Sequence, residues 1–149
     1  MDKITMEGVT AYPLKRIAVD NGDILHAVKA TDDGYAGFGE VYFSQIREGA
    51  VKGWKRHNRL TLNLVVPAGE IRFVLYDDRP GSATCGQFEA ITLSPDKNYR
   101  RLTVAPGIWL AFQGIAPGVS MLMDLIPEAH DPEEADKKTL AEINYSFSL

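Results

Sequence analysis

The sequence VKGWKRHNRLTLNLVVPAGEIRFVLYDDR, at residues 51–79, is the most informative part of the chain for its fold. It contains three segments rich in branched and aromatic residues, at 51–57, 60–67 and 70–78, and short polar or Gly/Pro turns separate them. Such segments are typical of β-strands. The same stretch also carries six lysine and arginine residues, one histidine and one tryptophan. It therefore predicts strands that hold many cationic side chains close to a core.

The rest of the chain continues this pattern. Further strand-like segments, each bounded by Gly, Pro, Asn or Asp, lie at 38–46, 87–94, 100–106, 107–115 and 119–126. Nearer the N-terminus, Asn21-Gly22 indicates a tight turn after a first strand. The element after this turn is a second strand or a short helix capped by Asp23, and the pattern leaves both open. Eight to nine short strands predict an all-β, antiparallel sandwich or barrel.

The C-terminal region reads differently. The segment PEEADKKTLAEI follows Asp131, a residue that commonly caps helices, and it begins with Pro132, which is favoured at the first helical position. We therefore predict a short helix over about 132–143, packed outside the strands. With 149 residues, the chain is long enough for one domain with a sizeable core. That domain spans 1–149 in this prediction, with its core over about 35–127.

Composition limits the function. The chain is 45% hydrophobic and 24% charged, with a net charge of −4, and its isoelectric point near 5.3 argues against general binding of nucleic acid. The single cysteine, Cys85, excludes an intrachain disulfide and fits a reducing cytoplasm. The N-terminus lacks the apolar segment of a signal peptide, and no apolar run approaches the roughly 20 residues that span a bilayer. We therefore expect a cytoplasmic protein that binds neither nucleic acid nor membrane.

Alternation along a strand indicates which side chains share a face. It gives each of three neighbouring strands a polar pair on one side: Lys55 with His57, Thr61 with Asn63, and Arg72 with Tyr76. Polar groups are costly to bury without partners, so polar rows inside a barrel indicate a wet cavity or a ligand. The alternative is that these rows face bulk water, as in many half-exposed antiparallel sheets.

Several motifs then occur in a specific order. These are KGWK at 52–55, Gly69, YDDR at 76–79, SATCG at 82–86, VAPGIWLAF at 104–112 and HDPEEADKKTL at 130–140. Together they resemble the dTDP-4-dehydrorhamnose 3,5-epimerase family, a sugar-nucleotide branch of the cupin jelly rolls. The likeness covers roughly residues 35 to 140. It implies a single cupin-like domain, an antiparallel jelly-roll barrel with the short C-terminal helix outside.

The chain departs from the family at the positions expected to carry catalysis. The family's base histidine falls on Lys55, its enolate-binding lysine on or near Leu62, its second histidine on Leu110 and its tyrosine near Met123. Relatives that carry Gly-Trp-His-x-His in the first motif keep their second histidine at His57. The resemblance therefore implies binding positions more directly than catalytic ones.

Strand alternation and the motif resemblance together give the predicted site. His57 is the expected catalytic base, because imidazole suits proton transfer near neutral pH, and Lys55 is expected to stabilise an enolate. The expected substrate-binding residues are Lys52, Arg72, Arg79, Tyr42, Ser44, Thr61, Asn63 and Trp109. Alternatives remain for some of them: Arg79 could pair with Asp77 or Asp78 at a strand end, and an exposed lysine or histidine is a common surface residue.

The predicted function is that of an epimerase or isomerase acting on a nucleotide-linked 4-keto-6-deoxy sugar, in polysaccharide or lipopolysaccharide sugar biosynthesis. It would need no cofactor and no metal. The resemblance implies a homodimer that exchanges or adds edge strands, with segment 8–20 as the candidate. One alternative is a non-catalytic cupin that binds sugar nucleotides or carbohydrates. Another is a metal-dependent cupin, which the single histidine in KRH disfavours.

Overall fold

The computed structural model describes residues 3–147, and these residues form mainly antiparallel strands. The strands are β1 (Val9–Pro13), β2 (Arg16–Ile17), β3 (Ile24–Leu25), β4 (Glu40–Arg47), β5 (Val51–His57), β6 (Leu62–Ala68), β7 (Ile71–Asp77), β8 (Phe88–Leu93), β9 (Arg100–Val104), β10 (Ile108–Gly114), β11 (Val119–Ile126) and β12 (Ala135–Lys137). The predicted bounds of β5 and of the strand at 119–126 are confirmed, and the others differ by a few residues at their ends.

Two five-stranded sheets make up the body of the fold. The first has the order β1-β9-β6-β11-β4, and the second has the order β12-β5-β10-β7-β8. The strands in each sheet pair in antiparallel fashion. The element left open near the N-terminus is a strand, because β2 and β3 pair across the Asn21-Gly22 turn. The structure thus confirms the all-β antiparallel jelly-roll class.

The main core lies between the two sheets, and alternation determines which residues enter it. In β7, Ile71, Phe73 and Leu75 are fully buried in this core, while Val74 points to the other side of the sheet. Burial of each such side chain contributes about 2 kcal/mol through the hydrophobic effect. A second, smaller cluster covers the outer face of the second sheet, where Ile143 packs near Trp54, so both faces of this sheet are covered.

The turn between β6 and β7 shows why the chain needs a glycine there. Gly69 has a φ of 84°, a left-handed conformation that side chains rarely adopt. A Cβ at this position would lie 2.7 Å from the Cα of Ser120. The Ser120 hydroxyl accepts a hydrogen bond from the Glu70 amide and donates one to the Glu70 carbonyl, at 3.0 and 3.2 Å. The turn therefore packs directly against β11.

The predicted C-terminal helix is wrong. Asp131 does cap a turn, since its side chain accepts a hydrogen bond from the Glu133 amide, but that turn is a three-residue 3-10 helix over Pro132–Glu134. The chain then extends as β12 and pairs with β5. A second 3-10 turn covers Leu140–Glu142. Strand pairing and burial of the Glu134 side chain thus outweigh the local helical preference of this segment.

Two of the three predicted polar rows face away from the space between the sheets. Asn63 lies outside the first sheet, where it contacts Arg101, and Thr61 lies in the connection before β6. Arg72 and Tyr76 lie on the outer face of the second sheet, beside the aromatic side chains of the C-terminal segment. Their prediction is wrong because other parts of the chain partly cover these outer faces, so Asn63 is buried and Thr61, Arg72 and Tyr76 are half-buried without lining the cavity between the sheets. The third row, Lys55 with His57, does face inward.

The N-terminal segment is held within its own chain, because β1 pairs with β9 along its whole length. The homodimer expected from this segment stays a prediction. Among residues 3–147, no helix has the length and apolar composition needed to cross a membrane.

Candidate active site

A cavity of about 410 Å³ lies between the two sheets. It is lined by Tyr42, Ser44, Lys52, Gly53, Trp54, Lys55, His57, Leu62, Leu64, Leu110, Phe112, Leu122, Asp124, Lys137 and Lys138. Five of the predicted site residues are therefore brought together here: Tyr42, Ser44, Lys52, Lys55 and His57. A cavity of this size falls within the range of small-molecule sites.

A second cavity, of about 330 Å³, lies outside the first sheet, between the end of β1 and residues 26–33. Its most buried charged side chain is Arg101, which bonds to Asn63 and to the Asp33 carbonyl and stacks on Tyr12. This guanidinium is already paired by the fold. The cavity between the sheets is therefore the better candidate for chemistry.

Apolar side chains form one wall of the cavity. Leu62, Leu64, Leu110, Phe112 and Leu122 contribute to it, and they continue into the main core. Leu62 and Leu110 occupy positions at which the resemblance leads us to expect catalytic side chains. An apolar wall keeps water away and strengthens the electrostatic interactions of the polar groups opposite it. Any catalytic groups must therefore come from other positions.

His57 forms a close pair with Glu134. Its Nδ1 lies 2.5 Å from Oε1 of Glu134, and both side chains are buried. An ionised carboxylate only accepts hydrogen bonds, so the proton of the imidazole resides on Nδ1. Nε2 is then left as the free basic nitrogen of a residue that lines the cavity. This arrangement is suited to a general base.

Glu134 is itself firmly held. It is 3% exposed, and its Oε2 accepts hydrogen bonds from the backbone amides of Asn58, Arg59 and Leu60, at 2.7, 2.9 and 3.3 Å. Burial opposes ionisation of this carboxyl, but the backbone hydrogen bonds and His57 outweigh it, so the pKa of Glu134 lies below its ordinary value. The carboxylate is thus charged at neutral pH and fixes the orientation of the imidazole.

A second proton-bearing pair lies on the opposite sheet. Tyr42 on β4 and Asp124 on β11 are cross-strand partners, and the Tyr42 hydroxyl donates to Oδ2 of Asp124 at 2.8 Å. Burial, followed by the Asp124 charge, raises the pKa of Tyr42 above its ordinary value. Burial also raises the pKa of Asp124, although the Tyr42 hydrogen bond opposes this. The cavity therefore has a hydrogen-bonded pair on each of the two sheets.

Four lysines line the cavity: Lys52, Lys55, Lys137 and Lys138. Lys52 Nζ donates to the Gln45 carbonyl at 2.5 Å, and Lys137 on β12 is the register partner of Lys55 on β5. The lining contains four ammonium groups and one carboxylate, that of Asp124. This concentration of positive charge, in a chain of net charge −4, favours an anionic ligand.

Arg79 lies away from the cavity. Its guanidinium pairs with Asp77, through Nε to Oδ1 at 2.9 Å and NH2 to Oδ2 at 2.9 Å, and it also donates to the Glu7 carbonyl. Ser82 and Thr84 hydroxyls donate to the same Asp77 carboxylate. The motifs YDDR and SATCG therefore build a structural network. The alternative of a strand-end ion pair for Arg79 is confirmed.

The other predicted binding residues also lie outside the cavity. Arg72 reaches the Tyr145 hydroxyl at 3.4 Å on the outer face of the second sheet. Trp109, on the same face, donates from Nε1 to Asp78 at 3.0 Å, and the Arg56 guanidinium lies 4.6 Å from the centre of its ring. Thr61 and Asn63 are absent from the cavity lining as well. None of these four residues lines the cavity between the sheets, and their role in substrate binding stays a prediction.

Sequence reasoning missed four cavity residues or their partners: Asp124, Glu134, Lys137 and Lys138. Asp124 is the single charged residue of the segment 119–126, and this was an available signal. The last three residues were hidden by the helical interpretation of 132–143. Among residues 3–147, no group of three or more His, Cys, Asp or Glu side chains is placed to hold a metal ion.

Comparison with known proteins identifies relatives with this architecture. No protein-family model matches the chain. A dTDP sugar isomerase from Desulfovibrio desulfuricans G20 is 31% identical to this chain in sequence. Its crystal structure superposes with a TM-score of 0.91, over 95% of this chain and 91% of the other. A dTDP-4-dehydrorhamnose 3,5-epimerase from Bacillus anthracis, 20% identical, shares the fold with a TM-score of 0.79, over 91% of this chain and 81% of the other.

One curated relative is a probable low-salt glycan biosynthesis epimerase from Haloferax volcanii. It is 27% identical over 100 residues, which cover 66% of this chain. The match spans 64% of that relative's own length. Together with the structural likeness along almost the whole chain, these findings bear out the resemblance read from the motifs. The chain belongs to the dTDP-sugar epimerase and isomerase family of cupin jelly rolls.

Proposed function

We propose that this protein is an epimerase or isomerase that acts on a nucleotide-linked 4-keto-6-deoxy sugar. The observation that carries the proposal is the buried His57–Glu134 pair, which leaves one imidazole nitrogen free in a cavity rich in lysine. The names of its relatives, a dTDP sugar isomerase and a glycan epimerase, agree with this chemistry. The name of the glycan epimerase supports a role in polysaccharide sugar biosynthesis, and the proposal extends this role to lipopolysaccharide sugars.

The proposed reaction begins with His57. Its Nε2 takes the proton from a carbon next to the ketone. The electron pair of the broken C–H bond forms a carbon–carbon double bond, and the π electrons of the ketone move onto its oxygen to give an enolate. The Lys55 ammonium stabilises this negative charge, and Glu134 stabilises the imidazolium that forms. A water molecule then gives a proton to the opposite face of the same carbon, which forms the epimer, and the imidazolium returns its proton to the hydroxide that is left. Protonation of the neighbouring carbon, with transfer of the hydroxyl proton, gives the isomeric ketone.

The cavity divides naturally between the two ends of such a substrate. Lys52, next to Ser44, and Lys137, next to Lys55, provide the cations that a diphosphate requires. The apolar wall that includes Leu62 suits the 6-deoxy carbon of the sugar. Tyr42 contributes a polar contact to the ring. A module that only binds a sugar nucleotide would need the lysines but would have no use for a carboxylate-held imidazole, so the pair favours catalysis.

The test is to incubate the wild-type protein with dTDP-4-keto-6-deoxyglucose in deuterated water and to follow the sugar protons by NMR. Loss of the C3 or C5 proton signal is expected, because the carbon acid exchanges with solvent through the enolate. New signals then distinguish an epimer from an isomeric ketone. Ligand signals that shift or broaden without exchange would contradict the enzymatic proposal and favour the non-catalytic binding protein.

The proposal also includes a homodimer. β4 is an edge strand of the first sheet, and its outward side chains Val41 and Phe43 are 42% and 62% exposed, with Phe38 at 66% just before it. Exposed apolar edges of this kind commonly pair with a second chain. We expect sedimentation equilibrium to give twice the chain mass, and Phe43→Glu to shift the protein towards a monomer. A wild-type protein that stays monomeric would contradict this.

A further inference from the structure

The Asp124 carboxylate is buried, but only one of its two oxygens accepts a hydrogen bond. It is 8% exposed, and its Oδ2 accepts the hydrogen bond from Tyr42. Its other oxygen, Oδ1, is buried and has no hydrogen-bond partner among residues 3–147. A buried acceptor without a donor is costly, and in native proteins such a group usually has a functional reason. Since Asp124 lines the cavity, a donor from a ligand can satisfy it.

The other polar groups of the cavity determine which kind of donor fits. The ammonium groups of Lys52, Lys55, Lys137 and Lys138 attract the anionic part of a ligand, whereas Asp124 repels it. Both oxygens of Glu134 are already engaged by His57 and by backbone amides. The free oxygen of Asp124 therefore suits an uncharged donor, and on a nucleotide sugar the uncharged donors with this reach are the ring hydroxyls.

We propose that Oδ1 of Asp124 accepts a hydrogen bond from a hydroxyl of the bound hexose, and that Asp124 thereby selects sugars that carry this hydroxyl. This inference rests on the proposed function, because it assumes that a nucleotide sugar occupies the cavity. The substrate class becomes narrower: a hexose with a free hydroxyl at C2 or C3, its diphosphate directed towards the lysines.

Neighbouring groups fix the position of this acceptor. Tyr42 and Asp124 are register partners on adjacent strands, so the Tyr42 hydroxyl holds Oδ2 and orients Oδ1. Burial raises the pKa of the Asp124 carboxyl, and the Tyr42 hydrogen bond and the charges of His57 and Lys55 partly oppose that rise. Asp124, His57 and Lys55 line the same cavity. The proposal therefore places the bound hydroxyl and the reacting carbon in one cavity.

The experiment measures binding by titration calorimetry with dTDP, dTDP-glucose and the 2-deoxy and 3-deoxy forms of dTDP-glucose. These sugars have no ketone and do not react. The wild-type protein is expected to bind one deoxy form about tenfold to hundredfold more weakly than dTDP-glucose, as for the loss of a hydrogen bond to a charged group. Asp124→Ala is expected to bind dTDP normally and to lose this preference.

Two further variants keep the test decisive. Asp124→Asn retains the shape and the Tyr42 contact, so a folded protein with a reduced preference is expected even if the alanine variant does not fold. Asp96→Asn removes an exposed carboxylate far from the site and is expected to keep the full preference. Thermal unfolding of each variant checks that it is folded.

Equal binding of dTDP-glucose and both deoxy forms by the wild-type protein would overturn the inference, as would a preference that survives in both Asp124 variants. The proposed function has a separate readout. A wild-type protein that shows the hydroxyl preference but no proton exchange supports the role of Asp124 and rejects the reaction. Exchange without the preference supports the reaction and rejects the role of Asp124.

Discussion

His57 and Glu134 show how a site can depend on one distant contact. The two residues are 77 positions apart in the chain, yet their side chains share a hydrogen bond of 2.5 Å. Glu134 is also tied to the amides that follow β5. The base and the group that orients it are therefore parts of one rigid unit. The geometry of this unit is what a catalytic imidazole requires.

Replacement of the orienting carboxylate should separate turnover from binding. We expect Glu134→Gln to lower kcat by about tenfold to hundredfold, because the imidazolium loses its stabilising charge while the imidazole stays in place. The affinity for dTDP should stay unchanged, since Glu134 is not among the residues that line the cavity. Steady-state rates and calorimetry on the same preparation check this. Wild-type turnover in a folded variant would contradict the role given to Glu134.

At this scale the sequence predicts some site residues well. Alternation along β5 predicts that Lys55 and His57 share a face, and the structure shows that this is the inner one. The resemblance points to Lys52, Tyr42 and Ser44. Both arguments use only local spacing. Neither could reveal Glu134, because its role depends on how a distant segment folds back onto β5.

The element that makes the site complete is β12. This three-residue strand pairs with β5 at the edge of the second sheet, and it places Lys137 beside Lys55. An ion pair of 2.5 Å between Arg56 and Asp136 holds the two strands together on their outer side. Pro132 and the acidic residues after it are typical of a helix start. The segment is instead extended because it pairs with β5. No local sequence pattern could predict this pairing.

Loss of the β12 lysine should weaken ligand binding. We expect Lys137→Ala to reduce the affinity for dTDP by about tenfold, the size of one charge-assisted contact to phosphate. The wild-type affinity should also fall as salt is added, and the variant should depend less on salt. Lys97→Ala removes a lysine that is 75% exposed and lies outside the cavity, so it serves as the control. Equal affinities of Lys137→Ala and the control would contradict the assignment of Lys137.

The molecule as a whole depends on a third buried carboxylate, Asp77. It is fully buried at the end of β7, and it joins Arg79 to the hydroxyls of Ser82 and Thr84. The Arg79 guanidinium, followed by the two hydroxyls, holds the pKa of Asp77 well below its ordinary value, although burial opposes this. Glu7 also contacts this network through Arg79, so it links the N-terminal segment to the second sheet.

Removal of the Asp77 charge should destabilise the fold. We expect Asp77→Asn to lower the free energy of unfolding by about 3 kcal/mol, because Arg79 loses its buried partner. The pKa of Asp77 is near 3.9 in the unfolded chain and lower in the folded protein. The stabilisation is therefore present above about pH 4, and it is lost as the pH falls towards the folded-state pKa. Urea unfolding at pH 7 and at lower pH checks both points. Asp96→Asn, at an exposed ion pair, should unfold like the wild type. An Asp77→Asn variant as stable as that control would contradict the role of the network.

The jelly roll itself was predictable. Strands of five to eight residues with turns at Gly, Pro and Asn specify antiparallel sheets largely through local patterns. The sequence could not show which face of each sheet lines the cavity. Other segments of the chain cover the outer faces, so residues on both faces are buried. Asn63 and Trp109 are buried on those outer faces by other segments of the chain. A polar or aromatic residue in a buried strand is therefore no guide to the cavity in this fold.

In the proposed reaction, His57 removes a proton from the sugar. The most direct measurement is deuterium incorporation from solvent into dTDP-4-keto-6-deoxyglucose, compared between the wild-type protein and His57→Asn at saturating ligand. We expect rapid exchange at one carbon next to the ketone for the wild type, and a rate about 10²- to 10⁴-fold lower for the variant, with dTDP bound normally. Exchange at the wild-type rate in His57→Asn would show that His57 is not the base.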